Sequence, residues 1–402
     1  SGQLEGARGS YRLVSELEAL EVPATVQAVV AARIDRLPER EKQLLQAAAV
    51  IGREFAEPVL EAVAELPAVD LEESLRALTG AEFVYERSLY PVAEYAFKHP
   101  LTQEVAYGSQ LGERRARVHA SVARAIEGLE ADKVDERSAL LAHHWEQAGS
   151  DLEAARWHAR AASWVASSDP EAARSHWLHV RRLLALLADS SDRLSLDLMA
   201  CGQLMRLGWT LGAPADEIEA LFVEGKDLAE RIPDPGPRSL LQMGYAVYVG
   251  IAGGDATHYV SAAREAVRLA EASGDPAYRL GARAILANAL NFAGSPAEAL
   301  ELFAQCLAER PEDPPAGREI VGFSPWIFAV MNRFLPLGLL GRLGEADEAL
   351  RQAIVLAREH GELEILSLGL SYRVFHREWD GETATALADA RQGLETVSYT
   401  HL

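Results

Sequence analysis

Histidine and tryptophan gather in one stretch of this chain. His143, His144, His158, His176 and His179 are five of its eleven histidines, and Trp145, Trp157, Trp164 and Trp177 are four of its seven tryptophans. Imidazole nitrogen can ligate a divalent metal, and His176 and His179, three residues apart, share one helix face. A zinc-type set needs further donors, and neither a cysteine nor a cluster of carboxylates accompanies the pair in the sequence. The expected role is therefore aromatic packing between consecutive helices, with polar tips reaching water, and no metal site is expected. A second concentration is basic: Arg114, Arg115, Arg117, His119 and Arg124. Such a run could contact phosphate or an acidic neighbouring domain, but a solvated helix face is the expected role.

Catalytic signatures do not occur. There is no Gly-x-x-x-x-Gly-Lys-Ser/Thr phosphate loop, no Gly-x-Ser-x-Gly elbow, no His-Glu-x-x-His and no Cys-x-x-Cys. No catalytic residue is expected within the chain. Its 39 basic and 60 acidic residues leave a net charge of −21, which argues against nucleic acid as a direct partner. Cys201 and Cys306 are too few for a disulfide framework and sit in apolar helical text, so a reducing, cytoplasmic compartment is expected. No apolar run is long enough to span a bilayer, and no membrane partner is expected.

The elements that must position these residues are mainly helices. Tyr11-Arg12-Leu13 reads as a short strand, and Pro23 opens a helix with Val26, Val29, Val30 and Ile34 on one face. Pro38 sits at the first position of the next, whose apolar face is Leu44, Leu45, Ala48 and Ile51, with Gly52 as the stop. A short helix over 58–64 follows. Asp70 is the expected cap of another helix, carrying Leu71, Leu75 and Leu78 and ending before Gly80. The period then changes from 3.6 to 2: Phe83-Val84-Tyr85 and Tyr95-Ala96-Phe97 read as strands joined by a turn containing Pro91. Three helices followed by a hairpin is the order of a winged helix, expected over residues 38–112. Its third helix offers Asp70, Glu72 and Glu73 against one Arg76, so it should repel DNA and act as a regulatory wing.

Beyond residue 112 the text is helical, punctuated by glycine and proline. Three turns align without gaps, at Gly149–Ala154, Gly294–Ala299 and Gly344–Ala349, each with Ala five residues after Gly. That is the turn and second-helix start of a tetratricopeptide repeat. The spacings from Gly254 to Gly294 and from Gly294 to Gly344, 40 and 50 residues, exceed the standard period, the unit at Gly254 has Tyr259 where Ala is expected, and Pro336 falls inside a first helix. The expected fold class is mainly α: a small winged helix, then a degenerate tetratricopeptide-like α-solenoid over 113–396.

Several strings carry a family resemblance. They are Val22-Pro23-Ala24-Thr25-Val26-Gln27-Ala28-Val29, running on to Ala31-Ala32-Arg33-Ile34-Asp35-Arg36-Leu37-Pro38; Glu94-Tyr95-Ala96-Phe97-Lys98-His99-Pro100-Leu101-Thr102-Gln103-Glu104-Val105-Ala106-Tyr107; and Leu141-Ala142-His143-His144-Trp145. Together they resemble the bacterial signal-transduction ATPases with numerous domains (STAND). The group most resembled carries an N-terminal class III adenylate/guanylate cyclase domain, a P-loop ATPase and tetratricopeptide repeats. The resemblance implies that residues 1–37 end an ATPase lid region and that cyclase and phosphate loop lie upstream of Ser1. ATP or ADP with Mg would then belong to that missing ATPase domain, the upstream partner in cis, and no cofactor is expected here. It further implies that His99, at the end of the winged helix, contacts nucleotide phosphate in the intact parent, the alternative being a helix-capping or packing histidine. The solenoid would bind a protein or peptide partner, with cyclic-nucleotide synthesis as the parent's output. A maltose-regulator-type transcription activator and a plain tetratricopeptide scaffold are the alternatives. Starting at Ser1 in mid-pattern, the chain is expected to be a downstream fragment, and residues 397–402 are expected to be a non-native tail.

Overall fold

The computed structural model describes residues 4–7, 10–13, 24–64, 66–90, 92–166, 168–251, 255–380 and 386–391. The chain forms two compact units, residues 1–132 with 147–149, and residues 133–146 with 150–402. The proposed tail at 397–402, Pro23, Pro91 and the Gly253-Gly254 break lie outside the described residues.

The first unit opens with an antiparallel pair, β1 (Leu4–Ala7) and β2 (Ser10–Leu13). Then come α1 (Ala24–Asp35), α2 (Glu39–Ile51), β3 (Glu54–Ala56), α3 (Glu57–Ala64), α4 (Ala68–Gly80), β4 (Val84–Ser88), β5 (Glu94–Phe97), α5 (Pro100–Gly108) and α6 (Gly112–Leu129). The strands form one antiparallel sheet in the order β3-β5-β4, with Phe55 opposite Tyr95 and Val84 opposite Phe97. The expected hairpin is therefore present and gains a third strand that sequence reading missed. Leu44, Leu45, Leu60, Leu71, Leu75, Leu78, Phe83 and Phe97 close the core, as the helical and strand periods require. The cap of α4 is Pro67, not Asp70; the helix starts three residues earlier, and Asp70 in its first turn lies 3.0 Å from Arg40. The α6 helix packs on α2 and α3 within this unit.

Among the described residues of the second unit there is no strand. Its helices are α7 (Ser138–Gln147), α8 (Asp151–Val165), α9 (Pro170–Leu184), α10 (Ser191–Leu211), α11 (Ala215–Glu230), α12 (Pro235–Ile251), α13 (Ala256–Ser273), α14 (Pro276–Phe292), α15 (Pro296–Ala308), α16 (Arg318–Val321), α17 (Pro325–Asn332), α18 (Phe334–Leu339), α19 (Leu343–Glu359) and α20 (Leu363–Asp380). Consecutive helices pack as hairpins in series, a tetratricopeptide-like α-solenoid. The turns share one mechanism. Gly149, Gly294 and Gly341 adopt φ of 71°, 83° and 75°, and the following N–H reaches back five residues: Ser150 to Trp145 O, Ser295 to Leu290 O, Arg342 to Leu337 O. This left-handed cap favours glycine because a Cβ would be strained there.

The cap also corrects the repeat register. Gly344 lies inside α19, and the turn glycine is Gly341, three residues earlier. Counted from the true turn, Ala154, Ala299 and Ala346 each fall five residues on, and all three are completely buried. Small side chains at that place let paired helices approach. Tyr259, the departure from that pattern, is also completely buried; a Cβ on Gly250 would lie 2.1 Å from its ring, so a glycine on the preceding helix makes room for it. Pro336 has the effect its chemistry demands. It lacks the N–H that would continue the ladder, and the helix breaks at Arg333 into α17 and α18.

Candidate functional site

The first helices of successive hairpins, α10, α12, α14, α17 and α20, pack side by side and line a pocket of about 170 Å³. Its walls are apolar: Leu240, Met243, Val247, Ile285, Phe323, Phe328 and Leu368, with Tyr259 and Tyr372 behind them. Gly202 and Gly244 let α10 and α12 approach closely, since a Cβ on Gly244 would sit 3.1 Å from the Gly202 carbonyl. Burial raises the pKa of both Tyr259 and Tyr372, so both phenols stay protonated.

Polar groups converge on this apolar wall. Gln203 on α10, Asn288 on α14 and Asn332 on α17 bring three carboxamides to the pocket. Asn288 Nδ2 donates to the Tyr259 hydroxyl at 3.5 Å, and Asn332 Nδ2 donates to Phe328 O at 3.0 Å. Arg206 Nε donates to Gln203 Oε1 at 3.0 Å, and its Nη1 donates to Glu364 Oε2 at 3.1 Å. That ion pair ties α10 to α20 across 158 positions of sequence. Gly322 provides the space for it; a Cβ there would meet the guanidinium at 3.0 Å. Glu364 also borders a wider cleft of about 800 Å³, walled by Arg160, Trp164 and Trp177 on one side and Arg318, Glu362 and Leu363 on the other. Arg318 Nε donates to the buried Glu362 at 2.6 Å, so the cleft edge carries a fixed charge pair.

This arrangement offers amides that both donate and accept, beside an apolar slot and a charged rim. It suits a ligand with an apolar side chain and unpaired backbone amides. Sequence reading did not find these residues. Their separation along the chain leaves no local signal, and single Asn and Gln residues on helices carry none.

The residues that sequence reading did single out are dispersed. His99 stands at the N-terminal cap of α5 in extended backbone (φ −137°, ψ 135°), is exposed, and makes no capping hydrogen bond with its side chain. The basic run on α6 is not a single solvated face. His119 is buried and lies 3.0 Å from the Tyr107 hydroxyl, while Arg115 stacks over the Tyr107 ring. The acids of α4 meet partners: Arg40 on α2 pairs with Asp70 and Glu73, and Arg76 pairs with Glu72.

The histidine stretch is partly the packing that its sequence suggests, with Trp145, His144 and Trp177 buried. Yet the missing carboxylate is supplied through the fold. Glu146 on α7 meets His158 on α8 and His179 on α9, with His176 alongside. Burial, with His179 and His176 as neighbours, brings the His158 pKa down to about 4.

No protein-family model matches the chain, and no curated protein sequence does. Solved structures are similar in fold. The aspartyl phosphate phosphatase F of Bacillus subtilis aligns at a TM-score of 0.52 and 10% identity, over 92% of this chain and 94% of that one. A STAND protein with a tetratricopeptide repeat sensor from Pyrococcus horikoshii aligns at 0.39 and 11% identity, over 92% of this chain; this chain spans 65% of its length. A Rap protein complexed with competence and sporulation factor aligns at 0.49 and 10% identity, over 93% and 99%. At these identities the phosphatase match shows a shared helical-repeat fold. Among the described residues no helix is long and apolar enough to cross a membrane.

Proposed function

We propose that this chain is the regulatory, partner-binding part of a larger signal-transduction ATPase, and that its solenoid binds an extended peptide segment of a protein partner. The observation that carries the reading is the pocket in which Gln203, Asn288 and Asn332 face an apolar slot. Side-chain amides at that spacing can pair with a peptide backbone while the slot takes one apolar side chain. The first unit, with its helix–strand–helix–helix–strand–strand order, acts as a winged-helix relay to an ATPase domain in cis. Arg40 holding Asp70 and Glu73 favours that relay role over DNA reading, because the third helix presents acids and a partnered arginine. Exposed His99 is free to reach the nucleotide phosphate of the neighbouring domain, where ATP or ADP and Mg would sit. The family resemblance of residues 20–165 supports a cyclase parent working in the cytoplasm.

Peptide display against the full chain tests the binding reading. Selected peptides should carry one apolar anchor in an extended sequence. Asn288→Ala and Asn332→Ala should each weaken them about tenfold, the worth of roughly one well-made hydrogen bond. Selected peptides indifferent to both substitutions would contradict it.

A further inference from the structure

We propose that Glu146, His158 and His179 form a divalent-metal site, and that zinc is the ion they fit. Three successive helices contribute one ligand each: α7, α8 and α9. Glu146 Oε2 lies 3.0 Å from His179 Nε2 and 3.7 Å from His158 Nε2. The three ligand atoms all fall within 4.8 Å of one another. Zinc bonds to imidazole nitrogen and carboxylate oxygen at about 2.0–2.2 Å, which puts tetrahedral ligand atoms roughly 3.4 Å apart. The two Glu146 distances bracket that value.

A second observation points to a ligand independently of the clustering. His158 is 8% exposed, and its Nε2 is buried without a hydrogen-bond partner. A buried polar atom left unpaired is costly, and a metal would satisfy it. The other ring nitrogen is already used: His158 Nδ1 sits 2.9 Å from His176 Nδ1. With a proton on His158 Nδ1 donated to His176, the Nε2 lone pair faces Glu146, the orientation a metal requires. His176 is thus a positioning residue and not a ligand. Two imidazoles and one carboxylate suit zinc; magnesium and calcium prefer all-oxygen shells. The set leaves a fourth position for water or a further group.

One side chain competes. Arg182 Nη2 lies 2.7 Å from His179 Nε2 and 3.5 Å from Glu146 Oε1, so its guanidinium stands where the ion's charge would be. Its side chain is 65% exposed, and a flexible exposed arm can swing into water at little cost. The ion would tie together α8 and α9, which carry Arg160 and Trp177 into the wall of the 800 Å³ cleft.

The full chain, stripped with a chelator and titrated with Co²⁺ and then Zn²⁺, provides the test. One Co²⁺ per chain should bind with the intense visible bands of a tetrahedral site, and Zn²⁺ should displace it. Glu146→Gln and His179→Ala should abolish those bands while far-ultraviolet circular dichroism stays unchanged. His176→Phe should weaken Co²⁺ binding about 10–100-fold, the usual effect of losing a partner that orients a ligand. Arg182→Gln, a surface change that leaves the fold intact, should tighten it. A wild-type chain that takes up no Co²⁺, or bands that survive in folded Glu146→Gln and His179→Ala, would overturn the proposal, as would Co²⁺ affinity unmoved by Arg182→Gln.

Discussion

The two compact units use their interior polar groups differently. In the first, they join elements to one another. Buried Glu41 takes a hydrogen bond from Ser74 at 3.3 Å and pairs with Arg40; Gln46 bonds Ser109 at 2.9 Å; His119 meets Tyr107 at 3.0 Å. In the solenoid, some buried polar atoms border cavities. Carboxamides line the pocket between α10 and α20, and His158 Nε2 is left open beside Glu146. The solenoid's pocket carboxamides also bond within the protein, yet they border open space, and in the same unit one imidazole nitrogen has no hydrogen-bond partner.

Substitutions can break or sharpen that contrast. The largest effect is expected at Tyr259, fully buried beneath the pocket. Tyr259→Ala should cost about 3–5 kcal/mol in urea unfolding, the range for losing a buried aromatic. Next is Glu41→Ala in the first unit, which leaves the Ser74 hydroxyl without its acceptor inside the core. It should cost about 1–3 kcal/mol and leave binding of display-selected peptides unchanged. Arg206→Ala should reverse that pattern. The stability loss should be about 1 kcal/mol, because Glu364 stays partly exposed, while peptide affinity changes severalfold. Equal binding effects from Glu41→Ala and Arg206→Ala would erase the distinction. The smallest effect is chemical. Burial raises Cys201 and Cys306 to about 12, so almost no thiolate exists at pH 8, and both should resist disulfide exchange reagents until urea unfolds the solenoid. Rapid labelling of the folded chain would show that its helix packing is looser than described.

Local chemistry explains which features were legible in the sequence. Gly149 and Gly294 announce left-handed helix caps, and Ala299, Phe303 and Cys306 at helical spacing announce a buried face; all three are 0% exposed. The register slip at Gly344 came from two glycines three residues apart, of which only Gly341 takes positive φ. β3 escaped because Glu54–Ala56 is three residues long, too short for an alternation to be counted. Both candidate sites were hidden for a different reason. Arg206 meets Glu364 across 158 positions, and Glu146 meets His158 and His179 only once α7, α8 and α9 fold against one another, which no local pattern of residues records. Tyr259 departs from the repeat pattern because the missing side chain of Gly250 leaves room for its ring.

Amide hydrogen exchange on the full chain, with and without a display-selected peptide, tests most directly whether the solenoid pocket receives the partner. The account predicts added protection in α10, α12, α14, α17 and α20, with the exchange of α2, α4 and the β3-β5-β4 sheet unmoved by direct contact. Protection confined to the first unit, with those five helices unchanged, would contradict it.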